Sequence, residues 1–173
     1  MMKLVPHAAA MAGLLSAVLP GSAPAVTFEL GRGHFVIHMD DTIDTFRLVA
    51  LDVPGNCTPP LTTVARGDGT FEIQSGAPRC DGEPHGELRL NPAWSRSLNI
   101  NMAAGQIDFA GSAVRRLATI HARVRAGDIF GLPGVQRRWL FGAELDARLR
   151  ADGVTLRTAL GAGQISLYAD APQ

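Results

Sequence analysis

A four-residue pattern, Ala-Gly-x-Ile, recurs through the second half of this 173-residue chain. The copies are Ala104-Gly105-Gln106-Ile107, Ala126-Gly127-Asp128-Ile129 and Ala162-Gly163-Gln164-Ile165. Asp152-Gly153-Val154, after Ala151, is a variant one residue longer. A repeat of this kind says that the core is built by stacking similar units, which constrains the fold more than any single residue. The stretches before the glycines alternate. Ala118, Ile120, Ala122, Val124 and Ala126 are separated by Thr119, His121, Arg123 and Arg125. Ala143, Leu145, Ala147, Leu149 and Ala151 are separated by Glu144, Asp146, Arg148 and Arg150. Period two at this length reads as strand, with Ala122, Val124, Ala147 and Leu149 turned to the core. A helix over 143–151 would bury Arg or Asp along its apolar stripe.

The glycines mark corners, because glycine takes positive φ without strain at Cβ. Successive glycines of the pattern lie 22, 26 and 10 residues apart. The two longer steps suit coils of a β-solenoid. The expected fold is therefore all-β: a parallel β-solenoid over the C-terminal half, with a β-rich, disulfide-bearing N-terminal part. An antiparallel β-sandwich or meander is the alternative, since Gly-Asp and Asp-Gly also make hairpin turns. In the N-terminal half, Val26–Leu30 and His34–Met39 read as two strands around Gly31-Arg32-Gly33. Phe46–Val53 and Thr70–Ile73 are further strands, and Gln74–Gly86 is a polar loop.

Residues 1–25 have the layout of a secretory signal peptide: Met1-Met2-Lys3, a twelve-residue apolar run from Ala8 to Leu19, then Ala23-Pro24-Ala25. The run is short of the roughly 20 residues that span a bilayer. The expected mature chain, 26–173, is one soluble all-β domain in a periplasm or outside the cell, with no transmembrane segment. It comprises a β/loop part (26–90) and a repeat part (91–173). Cys57 and Cys80 are the only cysteines, and export favours a disulfide between them. Closing that loop contributes about 3 kcal/mol in the chain-entropy model.

Residues 26–90 carry five Arg against ten acids, and residues 91–173 carry ten Arg against six. The halves thus differ in sign, while the whole chain is neutral. Export and zero net charge exclude nucleic acid as the expected partner.

Arg125-Ala126-Gly127-Asp128-Ile129 and Gly161-Ala162-Gly163-Gln164-Ile165 resemble the turns of a known group. These are bacterial exported proteins of the adhesin type, whose auto-transporter-adhesin-like head domain carries Gly-[Asp/Gln]-Ile turns between alternating strands. The resemblance covers residues 98–168. It implies a parallel β-solenoid, an envelope or surface location, and no catalysis. The insert Phe130–Phe141, with Trp139, and the cysteine-bearing N-terminal half depart from the pattern.

Candidate chemistry is sparse. His34, His38 and Asp40 share a strand face, but i and i+4 lie about 13 Å apart in a strand, too far to share an ion. They read as solvent-facing polar residues, and no metal or cofactor is expected. Arg66-Gly67-Asp68 matches the tripeptide that integrins read, although Gly-Asp-Gly is ordinary turn chemistry. No nucleophile elbow, phosphate loop or His-Glu-x-x-His is present. Aligning the strands on Ala126 and Ala151 sets Arg123 beside Arg148, Arg125 beside Arg150 and His121 beside Asp146. Those four arginines would form an anion-binding patch. The expected function is an exported, non-enzymatic envelope or adhesion-type module that binds an anionic glycan or an envelope protein. The alternative is a periplasmic hydrolase or small-ligand-binding β-sandwich with dispersed site residues.

Overall fold

The structure, a computed structural model, describes residues 25–51, 60–75, 83–138 and 141–168. The chain runs β1 (Ala25–Met39), β2 (Phe46–Ala50), β3 (Leu61–Ala65), β4 (Thr70–Ser75), β5 (His85–Leu90) and β6 (Ser97–Phe109). It continues through α1 (Gly111–Arg116), β7 (Leu117–Phe130), β8 (Gln136–Arg138), β9 (Gly142–Arg148) and β10 (Val154–Leu167). The proposed signal peptide lies outside the described residues, apart from Ala25, and Cys57 and Cys80 lie outside them entirely.

In the four long strands the buried positions change phase once, at a glycine. Val26, Phe28 and Leu30 are buried before Gly33, and Phe35 and Ile37 after it. The same holds for Leu98, Ile100 and Met102 before Gly105, and Ile107 and Phe109 after it. Gly33, Gly105, Gly163 and Gly127 have φ of 134°, 125°, 133° and 139°, so each strand turns a corner that suits glycine. The four glycines are in register across neighbouring strands. A Cβ on Gly105, Gly163 or Gly127 would fall 1.9, 1.8 or 1.7 Å from the carbonyl oxygen of the glycine next to it. Gly33 completes the row although its flanks are Arg32 and His34. Val26–Leu30 and His34–Met39 are consequently two arms of one strand, not two strands.

The sheet is mixed and open, in the order β2-β5-β1-β6-β10-β7-β9-β8. Strands β1, β6, β10 and β7 are parallel. Beyond β1 the sheet forks: the first arm of β1 pairs with β4 and the second with β5, both parallel. Antiparallel strands extend the sheet: β3 on β4, β2 on β5, β9 on β7 and β8 on β9. The all-β class holds, but the chain-order stacking of a solenoid is not seen. A solenoid climbs in chain order, whereas here the last strand, β10, inserts between β6 and β7. Gly153 also leaves the expected repeat: it precedes β10 and sits against the Arg116 carbonyl.

The inward residues of both arms form one apolar cluster. At the forked end Phe28, Phe46, Phe71 and Trp94 close it, with ring centres 4.7–5.9 Å apart. Helix α1 buries Ala113 and Val114, and Leu117 follows it inward. The alternation over 143–151 is only partly realised. Leu145 is fully buried and Ala147 packs at the margin, but Leu149 is 40% exposed. The β7–β9 ladder ends at Arg148, so Leu149 lies past the last position that the sheet turns inward.

Thr158 sits among the core residues, 3% exposed. Its Oγ1 is buried with no hydrogen-bond partner among the described residues. An unmade bond at a buried hydroxyl is costly, while an apolar isostere leaves nothing unsatisfied. Thr158→Val is therefore expected to stabilise the protein by about 1 kcal/mol, seen as a higher urea midpoint at unchanged slope. A lower midpoint would show that the hydroxyl is satisfied.

Candidate functional site

A groove of about 860 Å³ crosses the outer face of the first arms. Its floor is made of small residues, Ala103, Ala159 and Gly161. Gly161 is required by close approach, since a Cβ there would meet the Ala103 carbonyl oxygen at 2.3 Å. One wall is polar: Asn101 Nδ2 donates to Glu29 Oε1 at 2.8 Å across the β1–β6 pair.

The other wall is cationic and comes from β7 and the β8–β9 hairpin. Arg123 and Arg125 point outward from β7 by the alternation that buries Ala122 and Val124. Gly142 lets the hairpin press against β7, its would-be Cβ lying 2.8 Å from the Val124 carbonyl oxygen. That approach brings Arg138 and Phe141 to the groove. Phe141 is 72% exposed. Arg138 Nε donates to Glu144 Oε2 at 2.7 Å, and Arg137 pairs with Asp128 at 3.3 Å. Arg123 and Arg125 have no ion-pair partner among the described residues.

The antiparallel β7–β9 pairing rearranges the expected four-arginine patch. Arg123 faces Glu144, Arg148 faces Thr119, and only His121 keeps its expected neighbour, Asp146. His121 Nδ1 and Asp146 Oδ1 are 2.5 Å apart. Arg123 and Arg125 thus stay together on the groove. Arg150 lies in a different recess, with Arg96 and Arg116, and bonds the Arg115 carbonyl. Arg138 and Phe141 were missed in the sequence because they sit in the insert rather than in an alternating strand. The run Gln136-Arg137-Arg138 is the signal that could have found the first of them.

The charge asymmetry acquires a spatial meaning. The acidic half of the chain supplies β2, β5 and β1 at one end of the strand order, and the basic half supplies β6 through β8 at the other. The field along the sheet therefore runs from negative to positive towards the arginine wall.

His34, His38 and Asp40 do not converge. His34 Nε2 lies 2.6 Å from Asp108 Oδ2, His38 lies 3.8 Å from Glu87, and Asp40 lies 3.5 Å from Arg89. Burial opposes the charge on Asp108, but bonds from His34, Gln106 and Ser166 outweigh it and hold its carboxyl below the usual range. Ser166, which bonds that carboxylate, is buried. In Arg66-Gly67-Asp68, Arg66 pairs with Glu72 and Asp68 Oδ1 accepts the Thr70 amide at 2.9 Å. Both ends of the tripeptide serve the turn.

No family model matches the sequence, and no curated protein is similar to it. Among solved structures, the chain is similar to a "putative cell adhesion protein" from Clostridium sporogenes ATCC 15579. The identity is 10%, the TM-score is 0.37, and the match covers 84% of this chain and 92% of that one. No helix among the described residues is long and apolar enough to cross a membrane.

Proposed function

We propose that this chain is an exported, non-enzymatic binding module of the cell envelope, adhesion-type in role, and that its arginine-walled groove holds an acidic glycan. The observation that carries the reading is the placement of Arg123 and Arg125. Two guanidiniums without ion partners among the described residues flank a small-residue floor, with an exposed Phe141 beside them. Guanidinium forks match carboxylate and sulfate oxygens in pairs. The flat floor admits a chain of sugar rings lengthwise, and the Phe141 ring offers an apolar surface to a ring face. The sequence layout of residues 1–25 supports export, and in an oxidising compartment Cys57 and Cys80 are the natural disulfide pair.

The test is retention of the secreted protein on immobilised polygalacturonate in a salt gradient. Wild type is expected to elute late and to lose retention as the Debye length falls from about 10 Å at 0.1 M salt to about 3 Å at 1 M. An Arg123→Gln/Arg125→Gln variant should elute markedly earlier. Arg148→Gln/Arg150→Gln, away from the groove, should elute like wild type. If the first variant elutes with wild type, the groove is not the glycan site. The unreduced intact mass of the same material is expected to fit a chain starting at Val26 with its two cysteines joined. An uncleaved chain would overturn export, and a dithiol would overturn the pairing.

A further inference from the structure

A second groove, of about 540 Å³, follows the glycine row on the outer face, just past the corner. His34, Gln106, Gln164 and Asp128, each the residue after a glycine of the row, line it together with His85 of β5. His34 and His85 are direct neighbours in the parallel β1–β5 pair. Their ring centres are 5.5 Å apart at an interplanar angle of 71°.

Hydrogen bonding sets which nitrogen of each neutral ring is free to bind an ion. His34 Nε2 is 2.6 Å from Asp108 Oδ2. An ionised carboxylate only accepts, so Nε2 donates, and in the neutral ring the lone pair is on Nδ1. His85 Nδ1 is 2.8 Å from the Glu83 carbonyl oxygen. A carbonyl likewise only accepts, so Nδ1 of His85 donates, and in the neutral ring the lone pair is on Nε2. Asp108 is itself held, taking 2.9 and 2.8 Å bonds from Gln106 Nε2 on its two oxygens. An imidazole whose far nitrogen donates to a carboxylate or a backbone carbonyl is the arrangement that metal-ligating histidines adopt. The spacing agrees. Two imidazoles on one tetrahedral ion, with metal–nitrogen bonds of about 2.0–2.1 Å, hold their ring centres roughly 5–5.5 Å apart.

We propose that His34 and His85 form a two-histidine site for a divalent transition ion of the zinc, nickel and copper class, with Asp108 as the positioning residue of His34. Imidazole nitrogen suits these ions, and the affinity order places copper(II) first among them. Among the described residues no cluster of three or more His, Cys, Asp or Glu gathers for a metal. With two protein nitrogens on it, a four-coordinate ion has positions left for water or for a donor group of a bound molecule. Gln164 and Asp128 line the same groove and can hydrogen-bond what occupies those positions. The site is independent of the glycan groove, and neither stands on the other.

The experiment is titration of the full mature protein with copper(II) and with zinc(II), followed by calorimetry, and by electron paramagnetic resonance for copper. Wild type is expected to bind one ion, with the copper spectrum showing nitrogen coupling. His34→Gln and His85→Gln should each abolish that binding or weaken it at least tenfold. Asp108→Asn, which keeps the shape but not the charge, should weaken it roughly 10–100-fold. His121→Gln, on the far side of the sheet order, should bind as wild type does. Circular dichroism of each variant separates lost binding from lost fold, and His85→Gln, on the partly exposed ring, carries the test if His34→Gln does not fold. Wild-type-like binding in a folded His85→Gln protein, or no binding by wild type, would overturn the site.

Discussion

Gly163→Ala is expected to be among the most damaging single-methyl additions in this protein, costing about 3–5 kcal/mol. Two effects add. Alanine must accept φ near 133°, a conformation that costs non-glycine residues about 1–3 kcal/mol. Its Cβ must also occupy a position 1.8 Å from the Gly105 carbonyl oxygen. That oxygen is backbone in a central parallel ladder, so it cannot swing away as a side chain would. Relief requires opening the β6–β10 pairing over several residues. For a domain of this size the melting temperature should fall by roughly 10 °C. Gly31→Ala is the control, since a Cβ there meets nothing within 4 Å and φ lies outside the strained range. It should change stability by less than about 0.5 kcal/mol. Equal melting temperatures for the two variants would remove the glycine row as a structural requirement.

Leu156→Ala is expected to cost about 2–5 kcal/mol, and Leu149→Ala less than about 1. Leu156 is fully buried, in register with Leu98 on one side and Ile120 on the other. Removing its isobutyl group leaves a cavity that two flanking ladders keep from collapsing. Leu149 continues an apolar alternation that looks equivalent in the sequence, yet it is 40% exposed. Its amide donates to the Ala118 carbonyl at 2.8 Å, which pins the backbone at the end of the strand and leaves the side chain largely in solvent. Urea unfolding of both variants checks the contrast. A Leu149→Ala cost matching that of Leu156→Ala would mean that the core extends past Arg148.

The sequence by itself determined the inward and outward faces of the strands and most of the corners. Ala122 and Val124 are buried and Arg123 and Arg125 are exposed because side-chain direction alternates whatever the strand pairs with. Gly105, Gly127 and Gly163 turn corners because their backbone demands no Cβ, a local property that a local pattern records. Which strands become neighbours was decided only by the tertiary structure. Period-two alternation is the same in parallel and antiparallel ladders, so it could not show that β9 runs against β7. Nor could it show that β10 enters between β6 and β7. The site residues follow the same division. Arg123 and Arg125 were legible as outward cations, but their separation from Arg150 depends on strand direction. His34 meets Asp108 across 74 residues of chain, and His85 through a parallel register, and no spacing along the sequence encodes either. Local pattern fixes what a residue's own backbone and solvent preference require. Partners distant in sequence are selected by the joint packing of both arms around one core, which no single segment contains.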